Sequence, residues 1–85
     1  MRKIAFLPRA FAEFSNWAIE DKKIYAKIVT LIKDVDRDPY TGLGKPESLR
    51  YELSGLWSRR ITDEHRLVYK IMEEEVLIIS CKLHY

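Results

Sequence analysis

The sequence predicts an α+β domain in which two N-terminal helices pack on one face of a four-stranded, mainly antiparallel sheet, in the order β-α-α-β-β-β. Three observations predict it. Apolar residues recur at helical spacing through the first half, a stretch rich in Pro and Gly then interrupts the pattern, and alternation with a period of two runs through the rest.

Residues 3–7 are a short apolar run suited to a first strand, and Pro8 is placed as the first helical residue after it. Phe11, Phe14, Trp17 and Ala18 form the stripe of a first helix, which Asp21 breaks or caps. In a second helix Ile24, Ile28, Leu31, Ile32 and Val35 share one face. Lys22, Lys23, Lys27, Lys33, Asp34 and Arg37 lie mostly on the other, and Pro39 ends the helix. Pro39, Gly42, Gly44 and Pro46 mark residues 39–50 as a constrained loop, a common location for binding groups. Strands are expected at 57–61, 65–72 and 76–83, joined by polar turns at 62–64 and 73–75.

Composition sets the class. With 85 residues, 47% of them apolar and 33% charged, the chain is expected to fold as one domain, 1–85, around a single thin core that a partner would reinforce. Cys81 is the only cysteine, so no intrachain disulfide forms. The opening apolar run is broken at once by Pro8 and Arg9, unlike a secretory signal, and no segment has the length of a membrane span. A cytoplasmic protein with no membrane attachment is expected.

Alternation along the strands sorts the side chains. Leu67, Tyr69 and Ile71, with Leu77, Ile79, Cys81 and Leu83, are expected to pack on the helices. Ser58, Arg60, Arg66, Lys70, Ser80, Lys82 and His84 are expected on the open face, which is thus basic although the net charge is only +2. The polar outer face that any half-covered sheet presents is the competing explanation.

RNA carries its own nucleophile in the 2′-hydroxyl, so a protein can cleave it with a base, an acid and a cation that steadies the pentacoordinate phosphate. Glu47 in the loop can serve as base, His84 as acid and Arg66 as cation. No cofactor is indicated. His65, His84 and Cys81 lack metal-ligand spacing, alternation puts the two histidines on opposite faces, and there is no phosphate-cradling glycine motif. Cys81, between Ile79 and Leu83, reads as a core residue rather than a nucleophile.

Gly44-Lys45-Pro46-Glu47, Leu53-Ser54-Gly55-Leu56-Trp57-Ser58-Arg59-Arg60-Ile61, Glu64-His65-Arg66-Leu67-Val68-Tyr69 and the final His84-Tyr85 resemble the YoeB/Txe family of bacterial toxins, within the RelE-like superfamily. The likeness is dense over the last half of the chain and looser over the second helix. Residues 5–18 depart from the family pattern, as does Ser48, where a second proline is common. The resemblance implies a metal-independent endoribonuclease that cuts messenger RNA in the ribosomal A site. It also implies inhibition by a cognate antitoxin protein, and a homodimer or a toxin–antitoxin hetero-oligomer.

By the same resemblance Glu47 is the general base, His84 the general acid and Arg66 the group that stabilises the transition state. Tyr85 orders the RNA, and Arg50, Arg60 and Glu64 support the site. The sequence leaves open which of Glu47 and His84 is base and which acid. Trp57 reads as a core or dimer-interface aromatic. Two rival functions share the features so far: a contact poison of a target such as gyrase, without chemistry, and a basic RNA-binding module.

Overall fold

The computed structural model describes residues 2–83. The elements run β1 (Lys3–Phe6), α1 (Pro8–Glu20), α2 (Lys22–Arg37), β2 (Glu47–Ser48), β3 (Leu56–Arg60), β4 (Arg66–Ile71) and β5 (Glu75–Ser80), with a 3₁₀ turn at Tyr51–Leu53. Pro8 opens α1, as expected from its preset φ and missing N–H. Asp21 ends α1 and caps α2, its Oδ1 accepting from the amides of Lys23 (3.0 Å) and Ile24 (3.2 Å).

The strands form one sheet in the order β1-β5-β4-β3-β2, with β1 parallel to β5 and the other pairs antiparallel. The α+β class and the two-helix layer are as the sequence predicts. The strand count is five rather than four, because Glu47 and Ser48, expected in a loop, pair with Ser58 and Trp57 at the sheet edge. Two residues carry no alternation to read, so only the pairing reveals them.

Ala10 and Trp17 from α1 and Ile28, Leu31 and Val35 from α2 meet Ile61, Leu67, Tyr69, Val76, Ile78 and Cys81 in one core. The expected inward set of the last strand is therefore wrong in phase. Val68 pairs with Ser80 while Tyr69 pairs with Ile78, so Ile79 is an extra residue in a bulge. Upstream of it Val76 and Ile78 face the helices in place of Leu77 and Ile79, and downstream Cys81 returns to the core. The strand ends at Ser80 rather than continuing to 83, Leu83 is 53% exposed, and Lys82 leaves the open face to lie over the Trp17 ring.

The helix face of β3 holds a charge. Arg59 is fully buried, and its five N–H groups meet five acceptors. Nε donates to the Tyr69 hydroxyl (3.0 Å), one terminal nitrogen to Asp34 and to the Leu43 carbonyl (3.1 Å), and the other to the carbonyls of Asp38 (2.7 Å) and Thr41 (2.9 Å). The Tyr69 hydroxyl in turn donates to the Pro39 carbonyl at 2.8 Å. Asp34, expected among the outward residues of the second helix, instead reaches the sheet. Hydrogen bonds from Arg37, the Leu43 amide and Arg59 hold its carboxyl well below the usual carboxylate range.

Replacing one member of a buried ion pair leaves the other groups unpaired, so Arg59→Met is expected to lower stability by about 3–5 kcal/mol in urea unfolding. Arg59→Lys should recover little of that loss, since an ammonium has three donors and no fork. A loss below about 1 kcal/mol for Arg59→Met would remove the network from its central role. Acid should act through Asp34. Its carboxyl has an ordinary value of 3.8 and a lower one in the fold, so its stabilisation is complete above that ordinary value and fades as pH falls below it. Urea midpoints of Asp34→Asn measured between about pH 2.5 and 6 should accordingly show a weaker acid dependence than those of the unmodified chain.

Candidate active site

Residues directly opposite one another in a sheet share a face, so the pairings Glu47 with Ser58, Ser58 with Val68 and Arg60 with Arg66 put all five side chains on the side away from the helices. They line one cleft of about 190 Å³ together with Lys45 and Leu49. The structure thus brings together Glu47, Arg60 and Arg66 from the expected site, on three adjacent strands.

Each is positioned by backbone. The Arg59 network anchors residues 38–43, after which Gly44 passes close to the sheet and its carbonyl accepts the Arg60 amide at 2.7 Å. That contact turns the chain into β2 and sets Glu47 opposite Ser58. One terminal nitrogen of Arg66 donates to the carbonyls of Thr62 (2.7 Å), Asp63 (3.0 Å) and His65 (3.1 Å), which orients the guanidinium plane. Among the described residues its remaining N–H groups have no partner and no carboxylate pairs with it. Such a cation is free to bind an anion.

The other expected site residues lie elsewhere. Arg50 is exposed at the start of the 3₁₀ turn and does not line the cleft. The Glu64 carboxylate is not in the lining either; it sits 3.5 Å from Nε2 of His65. His84 and Tyr85 fall outside the described residues. Trp57, on the helix face, packs edge-on against Tyr40 and borders the core. Burial pushes the Cys81 thiol up to about 12, so it stays protonated at neutral pH and is no nucleophile.

Three lining residues went unassigned in the sequence reading. Lys45 had a usable signal, since it stands two positions from Glu47 and so shares its side in extended chain. Leu49 and Val68 had the same positional signal, Leu49 two positions after Glu47 and Val68 between Arg66 and Lys70, but their apolar side chains gave no chemical reason to single them out.

Two helices packed on one face of such a mixed sheet are the fold of the RelE-like toxin class. A toxin–antitoxin complex of that class from Mycobacterium tuberculosis superposes with a TM-score of 0.73 at 26% identity over 98% of both chains. More narrowly, the chain belongs to the family described as the YoeB-like toxin of bacterial type II toxin-antitoxin system, whose model matches residues 6–85. It is 48% identical to the toxin YoeB of Mycobacterium bovis over the whole length of both. The YoeB dimer from Staphylococcus aureus has a TM-score of 0.91 at 45% identity, covering 99% of this chain and 98% of that one.

Gly44 carries the link from network to cleft. Its φ is +77°, and an added Cβ would stand 2.9 Å from Leu31 Cδ2 and 3.1 Å from both Arg59 Cβ and the Arg60 carbonyl. Gly55 has φ +93° and open space around it. Both alanine variants carry a backbone cost of about 1–2 kcal/mol. Gly44→Ala should lose at least about 1 kcal/mol more than Gly55→Ala in parallel urea titrations, through the added overpacking. Equal losses would show that the close approach does not matter.

Proposed function

We infer that this YoeB-family toxin is a metal-independent endoribonuclease that cuts messenger RNA in the ribosomal A site. One observation carries the reading: a carboxylate and two guanidiniums, Glu47, Arg60 and Arg66, line a single cleft. Glu47 takes the proton of the 2′-hydroxyl, the resulting alkoxide attacks the adjacent phosphorus, and His84 protonates the departing 5′-oxygen. Arg66, permanently charged and with donors to spare, stabilises the extra negative charge of the pentacoordinate phosphate. Arg60 and Lys45 draw the backbone phosphates in. Arg50 extends this basic surface along the message, Glu64 supports the site from its edge, and Tyr85 orders the nucleotide at the cut.

The partners follow from the relatives. A YoeB–YefM complex from Staphylococcus aureus matches with a TM-score of 0.89 at 43% identity, covering 100% of this chain and 99% of that one. An antitoxin of the same kind holds the present chain inactive, and the toxin pairs with a second copy of itself as that organism's YoeB dimer does. Phe11 and Ile19, 59% and 84% exposed on α1, offer apolar surface for such contacts. The site of action is the cytosol, where the ribosomes are.

His84→Gln and Arg66→Ala are each expected to slow cleavage on programmed ribosomes by about 10²–10⁴-fold. Both should end growth arrest while leaving antitoxin binding intact. A message with a single 2′-deoxy nucleotide at the cut position should resist. Cutting of that message at the normal rate would eliminate the hydroxyl as nucleophile, and toxicity surviving both substitutions would favour a contact poison.

A further inference from the structure

The chain after β5 is strapped down residue by residue. The Cys81 amide donates to Glu13 Oε1 at 2.9 Å, and its carbonyl accepts from Trp17 Nε1 at 3.0 Å. Two residues on, Leu83 is held at both ends: its amide donates to Nδ1 of His65 at 2.8 Å and its carbonyl accepts the Arg66 amide at 2.9 Å. Leu83 has a φ of +62°, the left-handed region that a leucine avoids. A non-glycine residue persists there when its surroundings impose the conformation, and such imposed turns cluster at functional sites.

His65 is built for this task. It is buried, its ring meets Trp17 edge-on with centroids 4.8 Å apart, and its amide is tied to Thr62 Oγ1 at 3.0 Å. An Nδ1 that accepts from Leu83 puts the ring proton on Nε2, which faces Glu64 Oε1 at 3.5 Å. The neutral ring is thereby an acceptor aimed at the backbone, not a cation aimed at substrate. Arg66, the next residue, carries the other half of the clamp while its side chain lines the cleft. His84 directly follows Leu83 in the chain.

We propose that His65 is a positioning residue for cleavage: by accepting the Leu83 amide it imposes the turn at Leu83, from which the chain continues into His84. This rests on the endoribonuclease reading above. It also assigns Glu64 a different part, that of holding the His65 tautomer. Misplacing a reacting group by about 1 Å can cost on the order of 10²-fold in rate.

The test compares two substitutions in the full chain on programmed ribosomes, under single-turnover conditions. His65→Phe keeps the ring against Trp17 and loses the acceptor; His65→Asn keeps an acceptor near the Nδ1 position and loses the ring. The clamp predicts a single-turnover rate about 10- to 100-fold lower for His65→Phe, with half-saturation by ribosomes changed less than about twofold. It also predicts that His65→Asn regains most of the loss, and that Leu83 amide exchange is slow in the unmodified protein and in His65→Asn but fast in His65→Phe.

A purely structural role predicts the reverse ranking, with activity following thermal stability and ring packing, and would overturn the proposal. So would normal cleavage by His65→Phe, or a fast-exchanging Leu83 amide in the unmodified protein, a readout that survives even if His65→Phe fails to fold. If the unmodified protein cuts no message on ribosomes, the endoribonuclease reading itself fails, a result distinct from cleavage that ignores residue 65.

Discussion

A guanidinium sealed behind the sheet holds this molecule together. Moving a charge out of water costs several kcal/mol even after the protein relaxes, and only complete pairing offsets it. Arg59 meets that condition with one carboxylate, one hydroxyl and three main-chain carbonyls, drawn from α2, β4 and the loop between α2 and β2. Three of these acceptors belong to residues 38–43, a segment without helical or strand pairing of its own. The buried charge therefore converts a loop into a rigid spacer. Asp38 tightens it further by accepting from the amides of Tyr40 and Thr41.

That rigidity matters because the cleft draws on segments far apart in the chain. Glu47 comes from the strand that leaves the spacer, Arg60 and Arg66 from the hairpin beside it, and residue 83 is bound to the start of β4. Arg59 and Arg60 are neighbours pointing to opposite faces, one holding the scaffold and the other facing the cleft. A disturbance of the first reaches the second through a single peptide unit and the Gly44 carbonyl bonded to it. Stability and site geometry are thus coupled through covalent neighbours.

The charge pattern follows the same division. Asp34 answers Arg59 and Arg37, and Glu13 answers Arg9, all on the helix side of the molecule. The cleft keeps Lys45, Arg60 and Arg66 against one carboxylate, Glu47. A chain whose net charge is only +2 can in this way present a locally cationic groove, because Glu47 is the one acid among the lining residues and the other acids lie outside the cleft. Anions are attracted where the acids are absent.

By itself the sequence determined what depends on neighbours along the chain. Pro8 and Asp21 delimit the helices, the 3.6-residue stripe of Ile28, Leu31 and Val35 orients α2, and alternation places Arg60 and Arg66 on the open side. Its motifs also revealed the toxin family. Tertiary structure alone decided what depends on pairing between distant segments. The bulge at Ile79 reverses the phase of β5, Glu47 and Ser48 become a strand only because β3 is there to bond them, and Asp34 turns inward only because Arg59 waits there. An arginine on an apolar strand face is a legible hint of a buried pair, since such a charge must be answered. Which acid answers it is set by the packing of α2 on the sheet, and local periodicity carries no information about that.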